Sequence, residues 1–227
     1  MNKRLNALAE MVDKGSRVAD IGTDHAYLPI ELMNENKVSY AIASDIAAGP
    51  LQNAKDDIVA AGFEDKIETR LGAGLTTITK TDKIDTVVIA GMGGKLMVQI
   101  LDDALNNGFK FKNLVLEPNI GEPGVRKWLI EHQYQILTED LIAEAGHTYE
   151  LIKARLGEER ESLTEKELYF GPFIVKEKNP VFYQKWQGQL VYHEKLLTNL
   201  NKAKKKDHNR IKQIEKELDF IKEELND

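Results

Sequence analysis

An α/β fold with a largely parallel sheet, followed by a helical hairpin, is the architecture this sequence predicts, and three observations predict it. Short apolar, strand-like segments alternate with amphipathic helical ones through the first 157 residues. Several of the strand-like segments run into acids or glycines. Beyond the charged stretch Gly157 to Glu167 the periodicity changes in kind, and Ile211, Ile214, Leu218, Ile221 and Leu225 step by three, four, three and four. At 227 residues and 42% hydrophobic content the chain can hold one medium α/β domain and a smaller element.

Leu5, Leu8, Ala9 and Val12 recur at helical spacing and predict an opening helix before a first strand at Arg17 to Ile21. Ala26 to Glu35 reads as a helix, with Pro29 acceptable only in its first turn. A second strand, Tyr40 to Asp45, precedes a helix starting near Pro50, in which Leu51, Ala54, Ile58 and Ala61 share a face. Lys66 to Leu71, Ile84 to Ala90 and Asn113 to Leu116 are the third, fourth and fifth strands, with helices at Gly93 to Leu105 and Pro123 to Glu131. Gln135 to Ala143 and Thr148 to Leu156, separated by Gly146, predict an antiparallel hairpin at the end of the series. Downstream, Trp186, Leu190, Leu197 and Leu200 give a looser stripe, so two helices joined near Lys205 to Asn209 are expected to pair as a coiled-coil hairpin.

The segment Arg17 to Pro29 carries the most chemical information. A short apolar strand runs into Asp20, then Gly22 and a polar turn containing Thr23 and Asp24, and in α/β folds ligands sit beyond such strand ends. A glycine there lets the backbone approach a ligand closely. Twenty-five residues after Asp20, the second strand ends in Asp45, a spacing suited to an acid that accepts from ribose hydroxyls. The second and third glycines of the dinucleotide fingerprint are missing, and Asp24 stands where a pyrophosphate would lie, which argues against nicotinamide and flavin dinucleotides. S-adenosylmethionine has no phosphate and carries an ammonium and a sulfonium that carboxylates can serve. The plainer alternative is that Asp20 and Asp24 only cap the next helix.

Without cysteine there is no disulfide framework, thiolate nucleophile or cysteine zinc site, and the five histidines lack ligand spacing, so no metal is expected. No apolar run reaches transmembrane length, and Leu5 to Val12 is amphipathic, unlike a signal-peptide core, so the expected compartment is the cytoplasm, with no membrane partner. The net charge of -6 resides entirely in residues 1 to 157, because residues 158 to 227 carry 14 basic and 14 acidic side chains. Residues 195 to 216 are locally +6, through Lys195, Lys202, Lys204, Lys205, Lys206, Arg210, Lys212 and Lys216 against Asp207 and Glu215. Such a run is either a solvated helix face or a footprint for nucleic acid.

Asp20-Ile21-Gly22-Thr23-Asp24-His25-Ala26-Tyr27-Leu28-Pro29, Ser44-Asp45-Ile46, Arg70-Leu71-Gly72-Ala73-Gly74-Leu75, Ile89-Ala90-Gly91-Met92-Gly93-Gly94 and Glu117-Pro118-Asn119, in that order, resemble the bacterial family of tRNA (adenine-N1) methyltransferases acting at position 22. The resemblance covers the first 157 residues motif by motif and extends through the tail in layout. It implies a Rossmann-like class I methyltransferase domain over residues 1–157, a helical coiled-coil tRNA-binding hairpin over 158–227, and S-adenosylmethionine as methyl donor. By position it implies that Asp20, Gly22, Thr23 and Asp24 surround the methionine part of the cofactor. Asp45 and Ile46 would hold the ribose and pack on the adenine. Gly72, Ala73 and Gly74 would cover the adenine, and Ala90, Gly91 and Met92 would also bind the cofactor, the glycine there leaving space for the incoming base. Two positions depart from the family: Ala73 stands where Asp or Asn is frequent, at an expected cost of about 1 kcal/mol in cofactor binding, and Glu117 stands where Gln is frequent.

Neutral adenine N1 has a free lone pair, so methyl transfer to it needs positioning more than a strong base. Asp24, His25, Tyr27, Glu117 and Asn119 are the candidates near the target base: Asp24, Glu117 or Asn119 to accept from its amino group, and His25 or Tyr27 to bond or stack. Packing or capping is the alternative for His25 and Tyr27. For tRNA phosphates the candidates are Arg126, Lys127, Lys202, Lys204, Lys205, Lys206, Arg210 and Lys212. A monomer or weak dimer is expected. Two other functions fit the same residues: methyl transfer to another RNA or a small molecule, and a non-catalytic adenosyl-binding scaffold, for which Ala73 and the heptad stripe speak.

Overall fold

The computed structural model describes residues 3–158 and 162–226. The sheet is built around β1 (Arg17–Ile21), which is parallel both to β2 (Tyr40–Asp45) and to β4 (Thr86–Gly93). β3 (Ile67–Leu71) lies outside β2, and β5 (Asn113–Ile120) outside β4, again in parallel. β6 (Tyr134–Glu144) and β7 (His147–Leu156) form a hairpin in which β7 inserts antiparallel beside β5, giving the order β3-β2-β1-β4-β5-β7-β6. The hairpin turns on Ala145 and Gly146, at φ 49° and 80°, the doubly left-handed two-residue turn that matches strand twist. Strand order reverses between β1 and β4, which places a ligand crevice at their carboxyl ends.

The central strands read as near-continuous apolar runs because both sheet faces are covered. α1 (Lys3–Met11), α2 (Tyr27–Asn34) and α3 (Ala48–Ala60) bury Leu8, Leu32 and Ile58 on one face with Val18 and Val88. α4 (Gly94–Asn106) and α5 (Glu122–Glu131) bury Met97, Leu101 and Leu129 on the other with Ile42, Ile89 and Leu116. Burying each of these large aliphatic side chains contributes roughly 2 kcal/mol. Pro29 and Pro50 both fall in the first turn of their helices, where the missing N–H is no loss, and α3 starts two residues before Pro50.

Past the sheet come α6 (Glu165–Phe170), α7 (Ile174–Glu177), α8 (Pro180–Lys202) and α9 (His208–Asn226). The predicted boundary stretch Gly157 to Glu167 includes residues 159–161, which lie outside the described residues. α8 and α9 pack along each other, and the stripe Ile211, Ile214, Leu218 and Ile221 is buried, with Leu225 half-buried. Phe170, Ile174, Phe182, Trp186 and Ile221 join Leu141 of β6 in a third core, so the tail is packed onto the sheet's outermost strand.

The strand tips extend beyond their predicted ends. β4 continues to Gly93 and β5 to Ile120, and their register shifts between Ala90 and Met92 and again between Met92 and Gly93. Such irregular pairing bends the strand and re-aims its side chains, as bulges beside active sites do.

Candidate active site

At the carboxyl ends of β1, β2 and β3, with α4 as the far wall, lies a cleft of about 580 Å³. Of the sequence-predicted cofactor residues, Gly22, Asp45, Ile46, Gly72, Ala73, Gly74 and Met92 line it. The backbone holds the loops in place. Gly22 and Thr23 N–H both donate to the Ser44 carbonyl, at 2.8 and 3.0 Å, and Gly72 N–H donates to the Asp45 carbonyl at 2.9 Å. Gly22 has φ +82°, and a Cβ on it would lie 2.2 Å from the Met92 methyl carbon, so both conformation and space require glycine. One Asp45 oxygen accepts from Ala47 N–H at 2.7 Å, which orients the carboxylate and leaves its other oxygen for a ligand.

Asp20 lies beneath this floor, 8% exposed, and burial pushes its pKa up to about 6 despite a hydrogen bond from Thr23 and the nearby charge of Arg4. Thr23 is itself buried and accepts from Ala26 N–H at 3.1 Å, so its hydroxyl organises the turn and Asp20. Ala26 sits at φ 50°, turning the chain into α2. That turn presents Asp24 and Tyr27 to solvent, with Tyr27 stacked on His25 at 4.9 Å and an interplanar angle of 7°. The Nδ1 of His25 is 2.7 Å from Asp57 of α3, and its Nε2 is 3.7 Å from Asp24.

The β4–β5 tip forms the other side of the site. Gly91 has φ +76° with open space where a Cβ would be. Asn119, exposed at the end of β5, donates its side-chain N–H to the Gly91 carbonyl at 2.6 Å. Its side-chain oxygen is then directed as an acceptor. Glu117, two residues earlier, is fully buried and ion-paired with Arg4 of α1, whose guanidinium also lies 5.3 Å from the Tyr149 ring centroid. Burial pushes the Glu117 pKa up, opposed by Arg4, and Glu117 Oε1 has no hydrogen-bond partner among the described residues.

Sequence expectations change at four positions here: Arg126, Glu117, Ala90 and Gly91. Arg126, expected to contact phosphate, is wholly buried between Glu139 and Glu150 and donates to the Leu168 carbonyl, because α5 turns it under the tail and not outward. Glu117, expected beside the target base, is covered by Arg4. Lys127, the next residue after Arg126, is exposed, 3.9 Å from Glu131. Lys202, Lys204, Lys205, Lys206, Arg210 and Lys212 are all exposed around the α8–α9 connection, far along the chain from the cleft. Ala90 and Gly91 are not in the cleft wall, whereas Leu96, Gln99, Ile100 and Asp103 of α4 are. The i, i+3, i+4 spacing of Leu96, Gln99 and Ile100 is visible in the sequence as a helix face, but nothing local marks that face as ligand-lining. Arg4 carries no sequence signal for its partner 113 residues away.

The cleft fits an adenosyl ligand: Asp45 at one strand end, a glycine floor and an apolar wall from Met92, Leu96 and Ile100, with the second strand-end acid, Asp20, buried beneath the floor. Fold and site together define a Rossmann-like methyltransferase of the nucleoside-cofactor type. Residues 18–223 match the model of the family described as tRNA (adenine(22)-N(1))-methyltransferase, and the chain belongs to that family. The Bacillus subtilis tRNA (adenine(22)-N(1))-methyltransferase is 34% identical over 229 residues, spanning 98% of this chain and 96% of that protein. A Streptococcus pneumoniae structure in complex with S-adenosyl-L-methionine is 36% identical and matches with a TM-score of 0.89 over 99% of both chains. M. capricolum TrmK in complex with S-adenosyl-homocysteine is 30% identical, with a TM-score of 0.86 over 100% of this chain and 98% of the other.

Proposed function

We propose that this protein transfers the methyl group of S-adenosylmethionine to N1 of the adenosine at position 22 of tRNA. The observation that carries this reading is the family match over residues 18–223, within which Gly22, Gly72, Gly74 and Asp45 line one cleft. When bound, the cofactor supplies an electrophilic methyl group on a cationic sulfur.

Asp20, ionised, would hold the cofactor's ammonium, and Asp45 the ribose hydroxyls. Ile46, Leu96 and Ile100 would enclose the adenine. The bare backbone at Gly91 leaves room for the target base, which must be unpaired to expose N1. Asn119, fixed by its bond to Gly91, accepts from the base's exocyclic amino group, an interaction that strengthens as the ring becomes cationic. Tyr27, backed by His25, offers a flat surface for stacking. Arg4 and Glu117 brace the tip from beneath and would hold it in place. No strong base is required, and the chain's contribution is orientation and exclusion of water.

Within this reading, residues 1–157 are the methyl-transferring unit and 158–227 the tRNA-holding unit, with α8 and α9 acting as a coiled-coil hairpin whose basic tip grips phosphates. The enzyme works in the cytoplasm, as a monomer or weak dimer, without a metal. The test is acceptor identity: labelled methyl should reach tRNA with adenosine at position 22 and not the same tRNA with guanosine there. Equal labelling of both would count against the assignment.

A further inference from the structure

A second pocket, of about 300 Å³, lies on the other side of the β4–β5 tip from the cofactor cleft and shares no residue with it. We infer that this pocket, between the end of β5 and helix α8, binds an unpaired nucleobase of the tRNA that neighbours the target adenosine. The inference rests on the proposed tRNA substrate and adds a site on it.

Four features argue for this occupant. Asn119 and Ile120 line the pocket, and Asn119 also holds Gly91 at the tip, so a base seated here lies against the same strand end that meets the target. Among mostly polar walls, half-buried Tyr169 and Ile120, which is 71% exposed, offer the apolar surfaces a base would meet, while Trp186, its ring centroid 5.1 Å from that of Tyr169, is buried beside them. Unstacked RNA bases are recognised by stacking on such surfaces and by hydrogen bonds to their edges. Polar edges are supplied by Gln189 and Thr148, whose side chains have no hydrogen-bond partner among the described residues. The Nε1–H of Trp186 is a buried donor without an acceptor among the described residues, and buried indole N–H groups ordinarily find one.

Charge selects a base over a phosphate. Lys185, the pocket's lone cation among the described residues, is ion-paired with both Glu122 and Glu150, so its charge is already neutralised and an anion gains little there. A volume of 300 Å³ is at the small end for ligand sites, suited to one planar group.

The test is a thermodynamic cycle on the full-length protein. tRNAs carrying a single abasic nucleotide at each position beside the target are titrated, with S-adenosyl-homocysteine present, against wild type, Gln189→Ala and Thr148→Val. Both substituted side chains are half-buried at the pocket wall, outside the apolar core, and retained S-adenosyl-homocysteine affinity verifies their fold. One abasic position should weaken wild-type binding by about tenfold, the scale of one missing base–aromatic stack. Gln189→Ala should weaken binding of intact tRNA by about fivefold, the scale of one hydrogen bond, and should add little on the abasic tRNA. If both variants weaken every abasic tRNA as much as the intact one, the pocket assignment is overturned. Wild-type methyl transfer to intact tRNA is measured alongside: normal transfer with no coupling overturns only the pocket, whereas no transfer overturns the proposed function, and this inference falls with it.

Discussion

Asp20 shows how one residue's chemistry is set by its place in the fold. In the unfolded chain it is an ordinary carboxylic acid, but burial at the end of β1 raises its pKa from 3.8 to about 6. A raised acid binds its proton more tightly when folded, so its contribution to stability is fully present below about 3.8 and is lost as pH rises through about 6. Cofactor binding runs the opposite way, because an ammonium needs the carboxylate. Affinity for S-adenosylmethionine should therefore increase between about pH 5 and about pH 7, and Asp20→Asn should lower it and flatten its pH dependence. Isothermal titration across that range checks this, and a flat wild-type profile would remove Asp20 from the ammonium site. Asp20 and Asp45 are legible in the sequence as strand-end acids because the signal is local. Neither the burial of Glu117 beneath Arg4 nor that of Arg126 is legible, because each depends on a residue brought close only by the tertiary fold.

At the scale of elements, Arg126 ties α5 to both strands of the β6–β7 hairpin through Glu139 and Glu150, and to α6 through the Leu168 carbonyl. Glu139 also accepts from Phe173 N–H at 3.0 Å, just ahead of α7. Removing the cation leaves buried Glu139 without its arginine and Glu150 with Lys185 alone, so Arg126→Ala should destabilise the chain by roughly 3–5 kcal/mol. Arg126→Ala paired with Glu139→Gln and Glu150→Gln should recover part of that loss in urea denaturation. No recovery would mean that the packing of the arginine, not its charge, is what stabilises the junction. The long elements are predictable because their apolar periods repeat, and Ile211 to Ile221 falls on the buried face of α9 as its spacing requires. α6 and α7, with six and four residues, are too short for a period to register, although Thr164 and Glu167 form a capping box visible in the sequence. The predicted end of β4 falls short because Gly91 and Gly93, which end the apolar pattern, lie in the bulged pairing, and that of β5 because Glu117-Pro118-Asn119 breaks its apolar run.

Over the whole molecule, charge is segregated: residues 1–157 carry the net -6, while a window of +6 surrounds the α8–α9 connection. Because α8, α6 and α7 share a core with Leu141 of β6, removing the tail would expose that core and confuse folding with binding. Charge substitution at the tip is the cleaner test. Lys204, Lys205 and Lys206 changed together to Gln should weaken tRNA binding, lower the salt-dependence slope by roughly one for each phosphate no longer neutralised, and leave S-adenosyl-homocysteine affinity unchanged. An unchanged salt slope would dismiss the tip as a phosphate grip. The tip is legible in the sequence as a charge run, whereas the approach of α8 to the Asn119 end of β5 emerges only in three dimensions.

Methyl transfer to one atom of one nucleotide is read out by incubating the purified protein with unmodified bacterial tRNA and methyl-labelled S-adenosylmethionine, then digesting the tRNA and mapping the labelled nucleoside. The expected product is 1-methyladenosine at position 22. Label at another position, or no label despite measurable cofactor binding, would contradict it.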